Sequence, residues 1–404
     1  MFQQSFSGGI HPPEHKEYTE RKGVENIAIP HECFIPLQQH IGKPAVPVVE
    51  AGDYVEVGQL IAAADGFISA NVHASVPGKV VAVRQHPTPA SPHADCIVIE
   101  THGQFSQTRR ETMDWTSLSP DELLTRIRDA GIVGMGGAAF PTHVKLSPPA
   151  EKTIDTLIVN AAECEPYLTV DDALIKTSVP QIIDGTRIIL KILGIERAII
   201  GIESNKTDSY RLLSTYLDTV DTRSITVKQL KTKYPQGAEK QLIFSLTKRE
   251  VPSGGLPVDT GIVVQNIGTV FAVYQAVVEN RPLIERLVTV SGSCITKPGN
   301  YKIKVGTRIC DIIDECGGLR EEPAKIILGG PMCGQAVNDT NIPVIKGTSG
   351  LLFLSKKDID TADYQPCIRC ARCVSVCPIN LLPYEIANRT EMKVLDDISS
   401  LYPL

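Results

Sequence analysis

The sequence predicts a multidomain α/β protein, and three observations carry that expectation. The first is length: 404 residues, at about 100–200 per domain, make two to four units. The second is texture. Short β-rich pieces broken by Gly and Pro run to about residue 110. Alternating strand-like and helix-like stretches fill 119–280, and a small mixed unit follows over 283–355. The third is cysteine usage. Four of the eleven cysteines crowd into residues 367–377, which fits metal ligation in a reduced compartment better than a disulfide framework.

Composition narrows the class. A hydrophobic fraction of 42% with 21% charged residues is an ordinary soluble balance, and a net charge of −6 weighs against a nucleic-acid partner held by phosphate contacts. The first residues lack a basic stretch followed by an apolar one, so a cytoplasmic protein is expected. The uncharged run 260–278 is long enough to cross a bilayer. It is interrupted by Gly261, Gln265, Asn266, Gly268 and Thr269, and reads instead as a strand over 261–265 and a helix over 269–278. Membrane attachment is then expected only through partners.

In the first unit, 1–110, strands are expected over 45–49, 54–57, 60–63, 79–83 and 96–99. The run Glu50-Ala-Gly-Asp-Tyr-Val-Glu-Val-Gly-Gln-Leu-Ile, followed by Ala74-Ser-Val-Pro-Gly-Lys-Val, resembles the biotinyl/lipoyl carrier, a barrel-sandwich fold. Such carriers modify a Lys between those runs. None lies between Lys43 and Lys79, so the resemblance implies the fold and not a swinging arm. In the second unit, 119–280, a helix starts at Ser119, with Pro120 at its first position and Glu122 completing a capping box. It stops at Gly131. Strands over 157–160, 198–202 and 224–230 alternate with helices over 180–193, 208–217 and 237–247, the order of a mainly parallel, Rossmann-like sheet. The third unit, 283–355, reads strand, strand, helix, strand and is similar to the soluble-ligand-binding β-grasp (SLBB) domain. Residues 358–404 are expected to be a helical, ferredoxin-like tail.

The tail holds Cys367-x2-Cys370-x2-Cys373-x3-Cys377-Pro378, the spacing of bacterial 4Fe-4S ferredoxins. Short spacers let one tight loop present three thiolates to a cubane. Zinc fits less well, because it favours separated Cys pairs or Cys with His, and no His follows Cys367. In two-cluster ferredoxins the fourth Cys serves the other cluster. Either Cys377 closes a single cluster on this segment or, the reading favoured by the motif's usual pairing, the intact protein holds two clusters, the second completed beyond Leu404.

Two loops carry a further signal. Gly134-Met-Gly-Gly-Ala-Ala-Phe-Pro-Thr-His-Val-Lys145 allows close backbone approach to a phosphate. It follows a helix, so it is not the Rossmann fingerprint, and by itself it is equally a structural turn. Val159-Asn160-Ala-Ala-Glu163-Cys-Glu165-Pro166 follows a predicted strand directly, where α/β sheets bind ligands. Together the loops resemble the NADH-binding, FMN-containing subunit of respiratory complex I. The N-terminal carrier-like unit and the Met135 form of the loop match more closely the RnfC (RsxC) family of the Rnf (Rsx) ion-translocating electron transport complex.

The resemblance implies specific roles. Gly134, Gly136, Gly137, Phe140 and Lys145 would cradle the FMN phosphate. Asn160 would lie beside the flavin, and Glu163 and Glu165 beside FMN and NADH as the catalytic acidic pair. Tyr234, Gly237 and Glu239 would surround the nicotinamide, and Asn266 and Thr269 would lie under the flavin. Complex I has Arg at the position of Met135 and Glu at that of Gly268. The implied function is electron relay between NADH and ferredoxin or another carrier through FMN and 4Fe-4S clusters. The chain would lie peripherally on the cytoplasmic face of the bacterial inner membrane, beside integral membrane and flavin-carrying subunits that move the ion. The alternatives are a cluster-bearing scaffold that binds no nucleotide, the alpha subunit of the sodium-pumping quinone reductase, and a flavin subunit of a soluble hydrogenase or formate dehydrogenase.

Overall fold

The structure, a computed structural model, describes residues 4–102, 112–220, 224–363 and 365–394. After β1 (Val24–Asn26) come β2 (Glu32–Pro36), β3 (Val46–Pro47), β4 (Tyr54–Val55), β5 (Leu60–Ala63), β6 (Val72–His73), β7 (Gly78–His86) and β8 (Ala94–Thr101). Strands β2 to β8 make a four-stranded sheet, β2-β8-β7-β4, and a three-stranded one, β3-β5-β6. Ile35, Ile61, Val72, Val80, Ile97 and Ile99, drawn from both sheets, share one core. The sequence pattern does not mark β2, which ends in Pro36. It is an edge strand, where a missing N–H is tolerated. The connection between β5 and β6 holds no Lys and is docked: Asn71 Nδ2 donates to Asp129 O at 3.1 Å.

The central unit opens with α1 (Pro120–Asp129). Its capping box is formed: Glu122 N donates to Ser119 Oγ at 3.3 Å and Ser119 N to Glu122 Oε2 at 2.7 Å. Then follow α2 (Thr142–Lys145), β9 (Thr156–Ala161), α3 (Val170–Leu193), β10 (Ala198–Glu203), α4 (Thr207–Thr219), β11 (Ile225–Leu230), α5 (Glu239–Thr247), β12 (Ile262–Asn266) and α6 (Ile267–Val278). The sheet is parallel throughout, in the order β11-β10-β9-β12. Helix α3 starts ten residues before the expected Pro180. Ser178, at φ −142°, breaks the helical geometry there. Two residues on, Pro180 cannot donate to the carbonyl four residues back and its ring crowds that carbonyl, so the sequence signal for a start marks a kink instead.

The third unit contains β13 (Glu285–Ser291), β14 (Gly299–Lys304), α7 (Ile309–Glu315), β15 (Lys325–Leu328), β16 (Gln335–Val337) and β17 (Gly350–Leu354). With β1 they form a six-stranded sheet, β1-β14-β13-β17-β15-β16, over a core that includes Val288, Ile303, Ile312 and Phe353. Strand β17 is buried along its whole length. A short apolar run of that kind has no period to reveal it. Lys346 pins the three units together, its Nζ donating to Asn71 O at 2.6 Å and Gly131 O at 2.7 Å. The tail carries α8 (Arg372–Val376) and α9 (Pro383–Glu391), neither with a buried residue. Among the described residues no helix is long and apolar enough to cross a membrane. The run 260–278 is the strand β12 and the helix α6.

Candidate functional site

Parallel strands present their carboxyl ends to ligands. Here those of β9 and β12 open on a cleft of about 690 Å³, walled by all three units. The central unit contributes 136–139, the acidic loop after β9, and Tyr234, Pro235, Gly237 and Ala238. The first contributes Gln38 to Ile41, and the third Leu328 to Gly330, Cys333 to Gln335, Ile345 and Gly347 to Ser349.

The glycine loop is closed on itself, with Gly134 N donating to Phe140 O at 2.8 Å. It is held from behind by Thr269, whose Oγ1 accepts from Met135 N at 2.8 Å. Gly136 has φ +79°, and a Cβ there would lie 3.0 Å from Asn266 Nδ2. A Cβ on Gly137 would meet nothing within 4 Å. The two glycines therefore give a bare backbone surface on the cleft, the kind of cradle an anionic phosphate takes. Asn266 caps α6, its Oδ1 accepting from Gly268 N at 2.8 Å, and its Nδ2 donates to Asp171 Oδ2 at 3.0 Å. Asn160 joins two walls, donating to Gly237 O at 2.8 Å and accepting from Ala162 N at 3.1 Å.

The two glutamates differ. The side chain of Glu163 is buried, and its carboxyl is pushed up to about 7 by burial, against the pull of Lys16 and Lys206. Its Oε1 accepts from Asp171 N at 2.6 Å. Its Oε2 has no hydrogen-bond partner and lies 3.9 Å from Lys206 Nζ. Glu165 Oε2 instead accepts from Met332 N at 3.0 Å, so the loop after β15 lies across it. Tyr234 OH and Cys333 Sγ, from the same two walls, share a 2.9 Å hydrogen bond. Beside them Cys164 accepts from Gly237 N at 3.2 Å. Burial pushes its thiol up to about 12, which leaves it protonated and unreactive.

Of the residues that the sequence marked, Gly136, Gly137, Asn160, Glu163, Glu165, Tyr234, Gly237 and Asn266 line the cleft. Gly134, Phe140 and Thr269 shape the loop from behind. Lys145 and Glu239 are paired with each other, Nζ to Oε1 2.7 Å, outside the cleft lining. Sequence reasoning missed three cations. Lys16 Nζ donates to the carbonyls of Glu163, Glu165 and Leu168. Lys206 Nζ donates to Ala162 O at 2.9 Å. Arg286, buried, reaches Met135 Sδ and donates to Thr348 O at 3.1 Å. Lys206 follows β10 just as the acidic loop follows β9, a signal present in the sequence; Lys16 and Arg286 come from distant segments and had none.

The tail cysteines lie apart from this cleft. Cys367, Cys370 and Cys373 are exposed and Cys377 is half-buried. Among the described residues no three His, Cys, Asp or Glu side chains converge as a metal site. The donor set, four thiols without a His, still fits a cubane. Backbone amides already point at two of the sulfurs: Arg369 N to Cys367 Sγ at 3.4 Å and Leu381 N to Cys377 Sγ at 3.3 Å, the hydrogen bonds that tune clusters.

Comparison with known proteins matches these units in order. The RnfC barrel sandwich hybrid domain family matches residues 4–104, the Nuo51 FMN-binding domain family 127–275 and the SLBB domain family 287–336. The C subunit of the proton-translocating ferredoxin:NAD(+) oxidoreductase complex of Clostridium ljungdahlii is 48% identical over 94% of this chain and 83% of its own length. Its counterpart in the Na(+)-translocating complex of Acetobacterium woodii is 42% identical, over 98% and 89%. A crystal structure of an NAD+-reducing NiFe-hydrogenase in the air-oxidized state covers 70% of this chain and 55% of its own at a TM-score of 0.53 and 21% identity, a likeness of fold. Identity of this extent with those relatives, carried through every unit that walls the cleft, means that the chain belongs to the RnfC family, the C subunits of ion-translocating ferredoxin:NAD(+) oxidoreductase complexes.

Proposed function

We propose that the chain relays electrons between NADH and ferredoxin, as a peripheral subunit on the cytoplasmic face of a membrane complex whose other subunits move the ion. The observation that carries this reading is the cleft: a bare Gly136–Gly137 backbone facing an acidic loop at the carboxyl ends of β9 and β12. FMN, when bound, supplies a hydride acceptor that can also give up electrons singly. The chain's own residues bind and orient. Gly136 and Gly137 offer backbone to the phosphate, with Thr269 and Asn266 fixing the loop's shape. Asn160 ties the acidic loop to Gly237. Glu165 and Tyr234 face the space that a nicotinamide would enter, under the loop that carries Met332 and Cys333. Glu163 holds a buried carboxyl able to exchange a proton near neutrality. Cys367, Cys370, Cys373 and Cys377 would hold a 4Fe-4S cluster that passes single electrons onward.

The test is anaerobic purification with FMN titration, NADH titration, and iron and acid-labile sulfide counting alongside electron paramagnetic resonance. Flavin quenching, bleaching by NADH and stoichiometric iron support the reading. Iron without flavin or NADH uptake would favour the scaffold alternative, and stoichiometric zinc would overturn the cluster.

A further inference from the structure

Residues 4–10 take no part in the sandwich sheets. They run along the rim of the central sheet, where Gln4 pairs parallel with Leu230 and Ile10 antiparallel with Tyr234. Lys233 anchors this segment. Its ammonium lies 3.7 Å from the ring centroid of the buried Phe6 and donates to Phe6 O at 2.6 Å and Gly8 O at 2.8 Å. Gly8 and Gly9 follow at φ +80° and +85°. Gly9 N donates to Val376 O, Ile10 N to Tyr234 O, and Tyr234 N back to Ile10 O, each at 2.8 Å. The fit is close on both sides: a Cβ on Gly8 would lie 2.7 Å from Val376 O, and one on Gly9 2.9 Å from Tyr234 O.

Tyr234 lines the cleft, and Val376 is bonded to Cys377. The backbone from Gly9 to Ile10 therefore spans the gap between the cleft wall and the peptide beside a cysteine of the motif. Helices α8 and α9 bury no residue of their own, so the tail has little core to fix its orientation. We infer that Phe6 to Ile10 form a positioning strap, which holds the cysteine segment at a set distance from the nucleotide cleft. As far as it concerns electron transfer, this rests on the cluster reading above. Electron transfer between separated centres falls off steeply with distance, so a loosened strap should slow transfer without touching either end.

The experiment uses the full chain, purified anaerobically, with Gly8→Val and Lys233→Met. Val at Gly8 meets Val376 O at a positive φ, and Met at 233 removes both donations to the strap without altering its backbone. Hydrogen exchange at 372–377 should quicken in both variants while the amides of β9, β10 and β12 keep their protection. Iron content and flavin bleaching by NADH should hold, and cluster reduction should fall clearly below the parental rate. Unchanged exchange at 372–377 in folded Lys233→Met would overturn the strap. Faster exchange with cluster reduction at the parental rate would overturn its positioning role. A parental chain without iron would sink the cluster reading alone, because the exchange arm reads the strap without any cofactor.

Discussion

The carboxylate of Glu163 accepts a 2.6 Å hydrogen bond from the backbone amide of Asp171, so the acidic loop caps the start of the long helix α3. A helix N-terminus favours a negative charge, and Lys16 and Lys206 pull the same way. Burial outweighs them and keeps the carboxyl up at about 7.

The sign of the resulting pH dependence follows. Below about pH 4.5 the group is protonated in both folded and unfolded chains, and its contribution to stability is fully present. As pH rises toward 7 the unfolded chain releases the proton and the folded chain keeps it, so stability is lost. Glu163→Gln removes this loss. The unfolding free energy of the variant relative to the parent, read from urea denaturation at each pH, should climb between pH 4.5 and 7.5 by an amount on the order of 3 kcal/mol. A difference that stays flat with pH would show that the carboxyl is not held protonated.

Lys206 lies 3.9 Å from Glu163 and 3.7 Å from Glu203, its side chain and both carboxylates almost wholly buried. Its ammonium is raised, burial opposing the shift and the two carboxylates overcoming it. Lys206→Met strands the Glu203 carboxylate and the Ala162 carbonyl, and should cost about 3–5 kcal/mol. Urea unfolding followed by tryptophan fluorescence or circular dichroism checks this, and an unmoved midpoint would contradict it.

Gly136→Ala puts a methyl at φ +79°, 3.0 Å from Asn266 Nδ2. The left-handed conformation costs about 1–2 kcal/mol for a residue with a Cβ, so FMN affinity should fall about tenfold as the loop distorts. Gly137→Ala meets open space and should keep the fold; its effect should appear only in FMN titration. Equal FMN affinity in parent and Gly136→Ala would argue that the loop is a structural turn.

Cys370→Ser should lose iron and acid-labile sulfide while leaving flavin binding and the melting of the three folded units unchanged, because Cys370 is exposed on a segment without a core. Metal analysis next to a thermal scan reads both. Full iron retention would remove Cys370 from the ligand set.

The sequence by itself determined the local chemistry. The Ser119 to Glu122 capping box, the strand-helix alternation from β9 to α6, the bare glycines at 136 and 137 and the cysteine spacing all follow from near-neighbour rules. Those rules act over a few residues, which is why these features could be read in order along the chain. Tertiary structure decided what depends on distant segments meeting. It alone placed β1 in the third sheet and continued α3 across its kink. It paired Lys145 with Glu239 and brought Lys16 and Arg286 beneath and behind the two loops. Buried charges of that kind leave no periodic trace. Each is an isolated Lys or Arg until the fold removes it from water and leaves a carbonyl or carboxylate as its partner.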